Sequence, residues 1–158
     1  MSGVVSVDEL ARVSAELRRA GQRLVVTNGC FDLLHLGHVR YLQAARALGD
    51  ALAVGVNGDA SVRELKGKGR PLNDERTRAE VLAALRAVDY VAVFSEVRAT
   101  AFLDRVRPAI YVKGGDYTPE SLNPEERAAL QYIGAEIRII PFEEGFSTTG
   151  LIKRMHSA

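Results

Sequence analysis

The sequence predicts an α/β fold, a doubly wound and mostly parallel sheet of five strands in a single domain. Three observations carry it. Short apolar or β-branched runs recur along the chain at residues 24–27, 51–56, 90–94, 109–112 and 136–140, and such unbroken runs suit strands buried on both faces. Between them lie stretches with apolar residues at helical spacing, many opened by a capping residue. Short links join the two kinds of segment, and several runs end in glycine with small polar side chains, where parallel sheets place their ligands.

Taken in order, Ser6-Val-Asp-Glu9 reads as a capping box with Val5 and Leu10 as its staple, predicting a helix over about residues 7–20 that Gly21 ends. The first strand breaks at Asn28-Gly29, and from His38 the stripe Val39, Leu42, Ala45, Leu48 predicts a helix starting beneath two histidines. A second strand ends in Asn57-Gly-Asp59, and a short helix over 60–65 leads to Lys66-Gly-Lys-Gly-Arg-Pro-Leu-Asn73, a glycine-rich basic loop expected to be mobile. Asn73 or Asp74 caps a helix to about residue 87, with Val81, Leu82 and Leu85 expected inward. The third strand (90–94), a helix over 100–106 stopped before Pro108, and a fourth strand running into Lys113-Gly-Gly-Asp116 follow. Asn123-Pro-Glu-Glu126 opens a helix closed by Gly134, the fifth strand follows, and Gly145-Phe-Ser-Thr-Thr149 opens the last helix.

The 158 residues, 47% hydrophobic and 26% charged, supply one core. A net charge of +1, with basic and acidic residues interspersed, gives no footprint for nucleic acid or anionic membrane but allows a small anion. One cysteine excludes an internal disulfide. The absence of a leader-like apolar segment or membrane-length run makes the cytoplasm the expected compartment.

Four groups should share one cleft: residues 29–38, 57–59, 113–116 and 145–149. Their amides, imidazoles, cations and hydroxyls suit phosphate oxygens, and none pairs a nucleophile with a base. Each has a plainer alternative. His35 and His38, three apart on one helix face, could form a metal pair with Cys30 or Asp32, or be satisfied packing groups. Cys30 reads as a small packed residue, Lys66, Lys68 and Arg70 as a solvated loop, Arg78 as a surface partner of Asp74, and Ser147-Thr-Thr149 as an N-cap.

Gly29-Cys-Phe-Asp32 followed by His35-Leu-Gly-His38 resembles the nucleotidyltransferase superfamily of cytidylyltransferases, whose signature joins glycine-x-phenylalanine-aspartate to His-x-Gly-His. The resemblance continues through Val56-Asn-Gly-Asp59, Leu65 to Pro71, Arg78, Ala87-Val-Asp-Tyr90, Val112-Lys-Gly-Gly-Asp-Tyr117 and Gly145 to Thr149. It covers residues 23–155, a catalytic core preceded by a helical extension over 1–22. The Lys-Gly-Gly-Asp-Tyr and Ser-Thr-Thr stretches are most similar to the adenylyltransferase domain of ADP-heptose synthases. Phe146 departs from that pattern, standing where a smaller or different residue is expected.

The resemblance implies a Rossmann-like fold and transfer of AMP from ATP to D-glycero-β-D-manno-heptose 1-phosphate, with glycerol-3-phosphate cytidylyltransferases using CTP as near relatives. It implies catalytic roles for His35, His38 and Lys66. Nucleotide contacts would come from Asn28, Gly29, Cys30, Phe31, Asp32, Gly37, Arg78, Lys113, Gly114, Asp116, Ser147, Thr148 and Thr149, and substrate contacts from Asn57, Asp59 and Lys66. Mg²⁺ would arrive on the triphosphate with no protein cage. A homodimer and a separate sugar kinase are further expectations. A nucleotide sensor and a fragment of a class I aminoacyl-tRNA synthetase, which also uses His-x-Gly-His, are the rival readings; intact His35, His38 and Lys66 oppose the first, and near-zero net charge opposes the second.

Overall fold

The computed structural model describes residues 3–115 and 117–158. Its elements run β1 (Gly3–Val4), α1 (Val7–Arg19), β2 (Leu24–Gly29), α2 (Leu36–Arg46), β3 (Ala51–Asn57), α3 (Asp59–Lys66), α4 (Glu75–Ala83), β4 (Tyr90–Phe94), α5 (Thr100–Val106), β5 (Ile110–Gly114), α6 (Pro124–Ile133), β6 (Glu136–Ile140) and α7 (Thr148–Ser157), with one 3-10 turn at Pro119–Ser121. The strands form one parallel sheet in the order β1-β4-β3-β2-β5-β6.

The sheet therefore has six strands among the described residues, one more than expected. The addition, β1, is two residues that pair with Tyr90 and Val91, and the Val5 amide extends the pairing to the Val91 carbonyl at 2.9 Å. So short a strand carries no period from which to read it. It draws the N-terminal segment into the sheet, and α1 follows with its capping box intact and Leu10 fully buried.

Side chains alternate across the strands and build a core on each face. Leu24, Val26, Ala53 and Tyr111 pack with Leu10 of α1, Phe102 and Leu103 of α5, and Leu130 of α6. Val25, Val54, Ile110 and Val112 pack with Leu42 and Ala45 of α2 and with Ala79 and Leu82 of α4. In α4 the inward stripe is Arg78, Ala79 and Leu82, whereas Val81 is 48% exposed, a correction to the expected register. The helix ends at Ala83, so Leu85 reaches the core from the following turn.

At the centre, β2 and β3 pair along their whole length, from Leu24–Ala51 to Gly29–Val56. Between β2 and β5 the pairing stops at Val26–Tyr111, although both strands continue. They splay where the chain switches from one half of the sheet to the other, the place an open α/β sheet offers a crevice. Two tyrosines bridge the split. On the α2 face the Tyr41 hydroxyl lies 2.7 Å from Thr27 Oγ1 and donates to the Val112 carbonyl at 3.2 Å. On the α5 face the Tyr111 hydroxyl donates to Asn28 Oδ1 at 2.5 Å.

Gly55 lies in the middle of β3, where a Cβ would sit 2.7 Å from the Phe102 ring and 3.2 Å from that of Phe94. Gly55→Ala should therefore destabilise the protein by about 1–3 kcal/mol through overpacking, read as a lower urea midpoint with unchanged slope.

Candidate active site

The site forms at the C-terminal edge of β2. The turn after Gly29 needs a left-handed residue, and Phe31 takes it at φ 49°, an unfavourable conformation for a bulky side chain that surrounding contacts must hold. Its ring lies 5.4 Å from that of His38, and a Cβ on Gly29 would come within 3.0 Å of it. Helix α2 begins at Leu36, earlier than expected, which makes His35 the N-cap and places His38 in the first turn. Their rings overlap at 3.9 Å between centroids, and His38 Nδ1 accepts from the His35 amide at 3.3 Å. His35 Nδ1 is buried and has no partner among the described residues. A buried acceptor or donor left open at a helix N-terminus is a place for a ligand oxygen.

Gly37 permits this packing, since a Cβ there would meet the His35 ring and Phe146 Cβ at 2.9 Å each. The Phe146 ring lies nearly parallel to His35, 18° apart with centroids 6.5 Å away. Phe146 precedes α7, whose N-cap Ser147 accepts from the Gly150 amide at 2.9 Å, while Thr148 Oγ1 donates to the Leu33 carbonyl at 3.3 Å. The N-termini of α2 and α7 are thus pinned beside each other around His35. Thr149 is exposed on the first turn of α7.

Burial, followed by the neighbouring His35 charge, lowers His38 to about 4, and burial also lowers His35. Both imidazoles are neutral in the free protein at pH 7. Burial pushes the Cys30 thiol up, against the pull of the Lys66 and Arg78 cations, so it is no thiolate nucleophile.

Asp32 is buried and holds the far end of the basic loop. Its carboxylate accepts from the Leu72 amide at 2.8 Å, the Asn73 amide at 2.9 Å and Arg70 Nε at 2.8 Å. Burial alone would raise this carboxyl; the Asn73 and Leu72 amides and Arg70 outweigh it and hold it below its usual range. Lys66 closes α3 before Gly67 at φ 93°, so the expected mobile loop is tethered at both ends, with exposed Lys68 between.

Arg78 is not the surface partner of Asp74; Asp74 instead caps α4, accepting from the Thr77 amide. The Arg78 side chain is fully buried and donates to the carbonyls of Asn73 (2.9 Å), Cys30 and Asn57 (2.8 Å each) and to Asp59 Oδ1 (2.8 Å). It supports the cleft from beneath. Asn57 is buried, its amide bracing Ser61 and the Glu96 and Val97 carbonyls. The expected substrate residues Asn57 and Asp59 thus face protein partners here. A groove of about 490 Å³ beside Asp59, Glu75, Ser95 and Glu96 lies apart from the histidines, and its acidic rim disfavours phosphate. Lys113, expected in a loop, lies within β5, with Nζ 5.1 Å from the Tyr117 ring centroid. Gly114 is packed beneath Phe142 and Tyr41. Asp116 lies outside the described residues. Sequence reasoning missed Tyr41 and Tyr111, neither of which carries a motif of its own, and it read Arg70 as part of a solvated loop, whereas Arg70 pairs with the buried Asp32.

A family model described as cytidylyltransferase-like matches residues 26–154, which contain the whole of this cleft. The chain belongs to the cytidylyltransferase-like family. It is a nucleotidyltransferase, and it is similar to relatives named bifunctional protein HldE. The one from Nitratiruptor sp. is 49% identical over 150 residues, covering 95% of this chain and 31% of its own, and the one from Syntrophotalea carbinolica is 51% identical over 138 residues, covering 87% and 28%. The chain thus spans about a third of the length of these curated relatives. The lipopolysaccharide core biosynthesis protein from Thermoplasma volcanium superposes with a TM-score of 0.64 at 29% identity, over 78% of this chain and 98% of that one. A pantoate-beta-alanine ligase from Francisella tularensis shares the fold alone, with a TM-score of 0.60 at 12% identity over 91% of this chain and 68% of that one. No described helix of this cytidylyltransferase-like protein is long and apolar enough to cross a membrane.

Two outcomes follow from these contacts. Because His38 and His35 titrate lower in the folded than in the unfolded chain, the unfolded chain takes up their protons first; stability is greatest above about pH 6.5 and falls as the pH drops toward 4. Urea midpoints of the ligand-free protein at pH 7 and pH 5 should show this, with a smaller difference in His38→Gln. Arg78→Met should cost about 3 kcal/mol or more, because it orphans three buried carbonyls and the Asp59 carboxylate, measured by the same denaturation.

Proposed function

We propose that the chain transfers AMP from ATP to D-glycero-β-D-manno-heptose 1-phosphate. An oxygen of the sugar phosphate attacks the α-phosphorus in line, a new P–O bond forms, the bond to the bridging β-phosphate oxygen breaks, and pyrophosphate leaves with that electron pair. The observation that carries this reading is the close His35–His38 pair, ring centroids 3.9 Å apart, at the N-terminus of α2 beside the N-terminus of α7. Two helix N-termini and two neutral imidazoles that can take a proton or donate a hydrogen bond suit charge spreading over a triphosphate. His35, His38 and Lys66 stabilise that charge. Ser147, Thr148 and Thr149 hold the β and γ phosphates at α7, and Gly29, Cys30, Phe31, Asp32 and Gly37 shape the nucleotide site. Lys113 and Gly114 contact the nucleoside.

Asp32 is fully engaged by the loop and Asp59 by Arg78, and no group of three or more His, Cys, Asp or Glu converges among the described residues. That donor set fits Mg²⁺ entering on the nucleotide, where it neutralises phosphate charge. The acceptor arrives already phosphorylated, so a sugar kinase precedes this step. The HldE name of the relatives supports the heptose reading; the cytidylyltransferase-like family model favours, as second reading, CTP with glycerol 3-phosphate.

Purified protein with ATP, Mg²⁺ and the heptose phosphate should release pyrophosphate in a coupled assay. Silence there with turnover of CTP and glycerol 3-phosphate transfers the assignment to the second reading. His35→Ala and His38→Ala should each lower kcat by about 10²–10³-fold, the usual loss when one group stabilising transition-state charge is removed, with folding verified by urea denaturation.

A further inference from the structure

Asn28 ends β2 on the sheet face it shares with Leu24 and Val26, opposite the face that carries α2 and its histidines. Tyr111 lies on that same face of β5, fully buried, and strand alternation puts Lys113 there as well. The tyrosine proton needs an acceptor. Asn28 Oδ1 takes it at 2.5 Å, the one acceptor within reach of that hydroxyl among the described residues. This fixes which way the carboxamide faces. Its Nδ2H₂ is left without a partner among the described residues, and Asn28 is only partly buried, at the mouth of the gap where β2 and β5 part. Desolvation, followed by the charge of Glu126 on α6, keeps the phenol neutral and able to donate at any working pH.

We propose that Tyr111 is a positioning residue: it locks the Asn28 carboxamide so that its NH₂ group donates to a hydroxyl oxygen of a sugar ring bound in the split between β2 and β5. That ring belongs either to the ribose of the nucleotide or to the acceptor sugar. The inference rests on the nucleotidyltransferase assignment and adds to it a residue that touches no ligand.

The test is steady-state kinetics on the full chain with each substrate varied in turn. Tyr111→Phe should raise KM for one substrate about five- to tenfold, the worth of one oriented hydrogen bond, with kcat changed less than about twofold. A rise for the nucleotide assigns the ribose, and a rise for the phosphorylated acceptor assigns the acceptor sugar. Asn28→Asp keeps an acceptor for the tyrosine but loses the donor, so it should raise the same KM. Asn28→Ala combined with Tyr111→Phe should be no worse than Asn28→Ala alone, because the tyrosine acts only through the amide. Wild-type KM values in Asn28→Asp, or effects that multiply in the double variant, overturn the proposal, and Asn28→Asp decides it even should Tyr111→Phe fail to fold. Absence of turnover by the wild type with every nucleotide and acceptor would instead remove the enzymatic assignment.

Discussion

The cleft depends on one buried cation. Arg78 reaches from α4 to the ends of β2 and β3 and to the start of its own helix, joining the Cys30 turn, Asn57, Asn73 and Asp59. A guanidinium without water is costly unless its protons are matched, and here three carbonyls and a carboxylate match four of them. Lysine, a point donor on a flexible stem, could not span the same directions. Since Asn73 is also held by Asp32, the guanidinium and that carboxylate tie the turn below the histidines to the end of the basic loop. The loop is thus a basic segment on fixed supports.

The two histidines of the site are neutral in the free protein at pH 7. Burial lowers both imidazoles, and the neighbouring His35 charge lowers His38 further, which avoids a large desolvation cost in the empty protein. On the function proposed above, the attraction for phosphate would come chiefly from the ends of α2 and α7, whose fields need no proton, since the charge of Arg78 is matched by Asp59. An arriving triphosphate would bring negative charge against His35 and His38 and so oppose the burial that lowers them. Phe146 and Gly37 set the geometry: the ring covers His35 and the missing Cβ lets it do so.

Much of this was legible beforehand, for identifiable reasons. Doubly wound topology follows from alternating apolar runs and capped helices, and every expected strand is present. The pair of histidines over a helix start was visible because spacing fixes it. Arg78 was legible as a position and misread as a partner: it lies four residues after Asp74, suggesting a surface pair, but also four before Leu82 on the buried stripe. Choosing between these needs the neighbouring strands. Asn57 and Asp59 lie at the end of β3 and the start of α3, where the strand run places them, but the direction of a short polar side chain depends on partners such as Glu96 and Arg78, distant in sequence. The bridge between Tyr111 and Asn28, 83 positions apart, had no local signal at all.

On the proposed reaction, the separation of β2 from β5 bears on how two substrates would meet. Paired to their ends, these strands would close the sheet edge and leave a flat surface. Splayed after Val26 and Tyr111, they open a gap with the histidines and two helix N-termini on one face and Asn28 with Lys113 on the other. Such a gap cannot drift, because each tyrosine links the strands by a hydroxyl on a different face. In-line displacement needs the attacking oxygen and the leaving group on opposite sides of the phosphorus. On the two proposals above, a sheet edge with imidazoles and helix N-termini on one face and an amide with a lysine on the other would supply that opposition from the backbone itself. On that reading positioning rests on strands held by backbone pairing and two tyrosine hydroxyls.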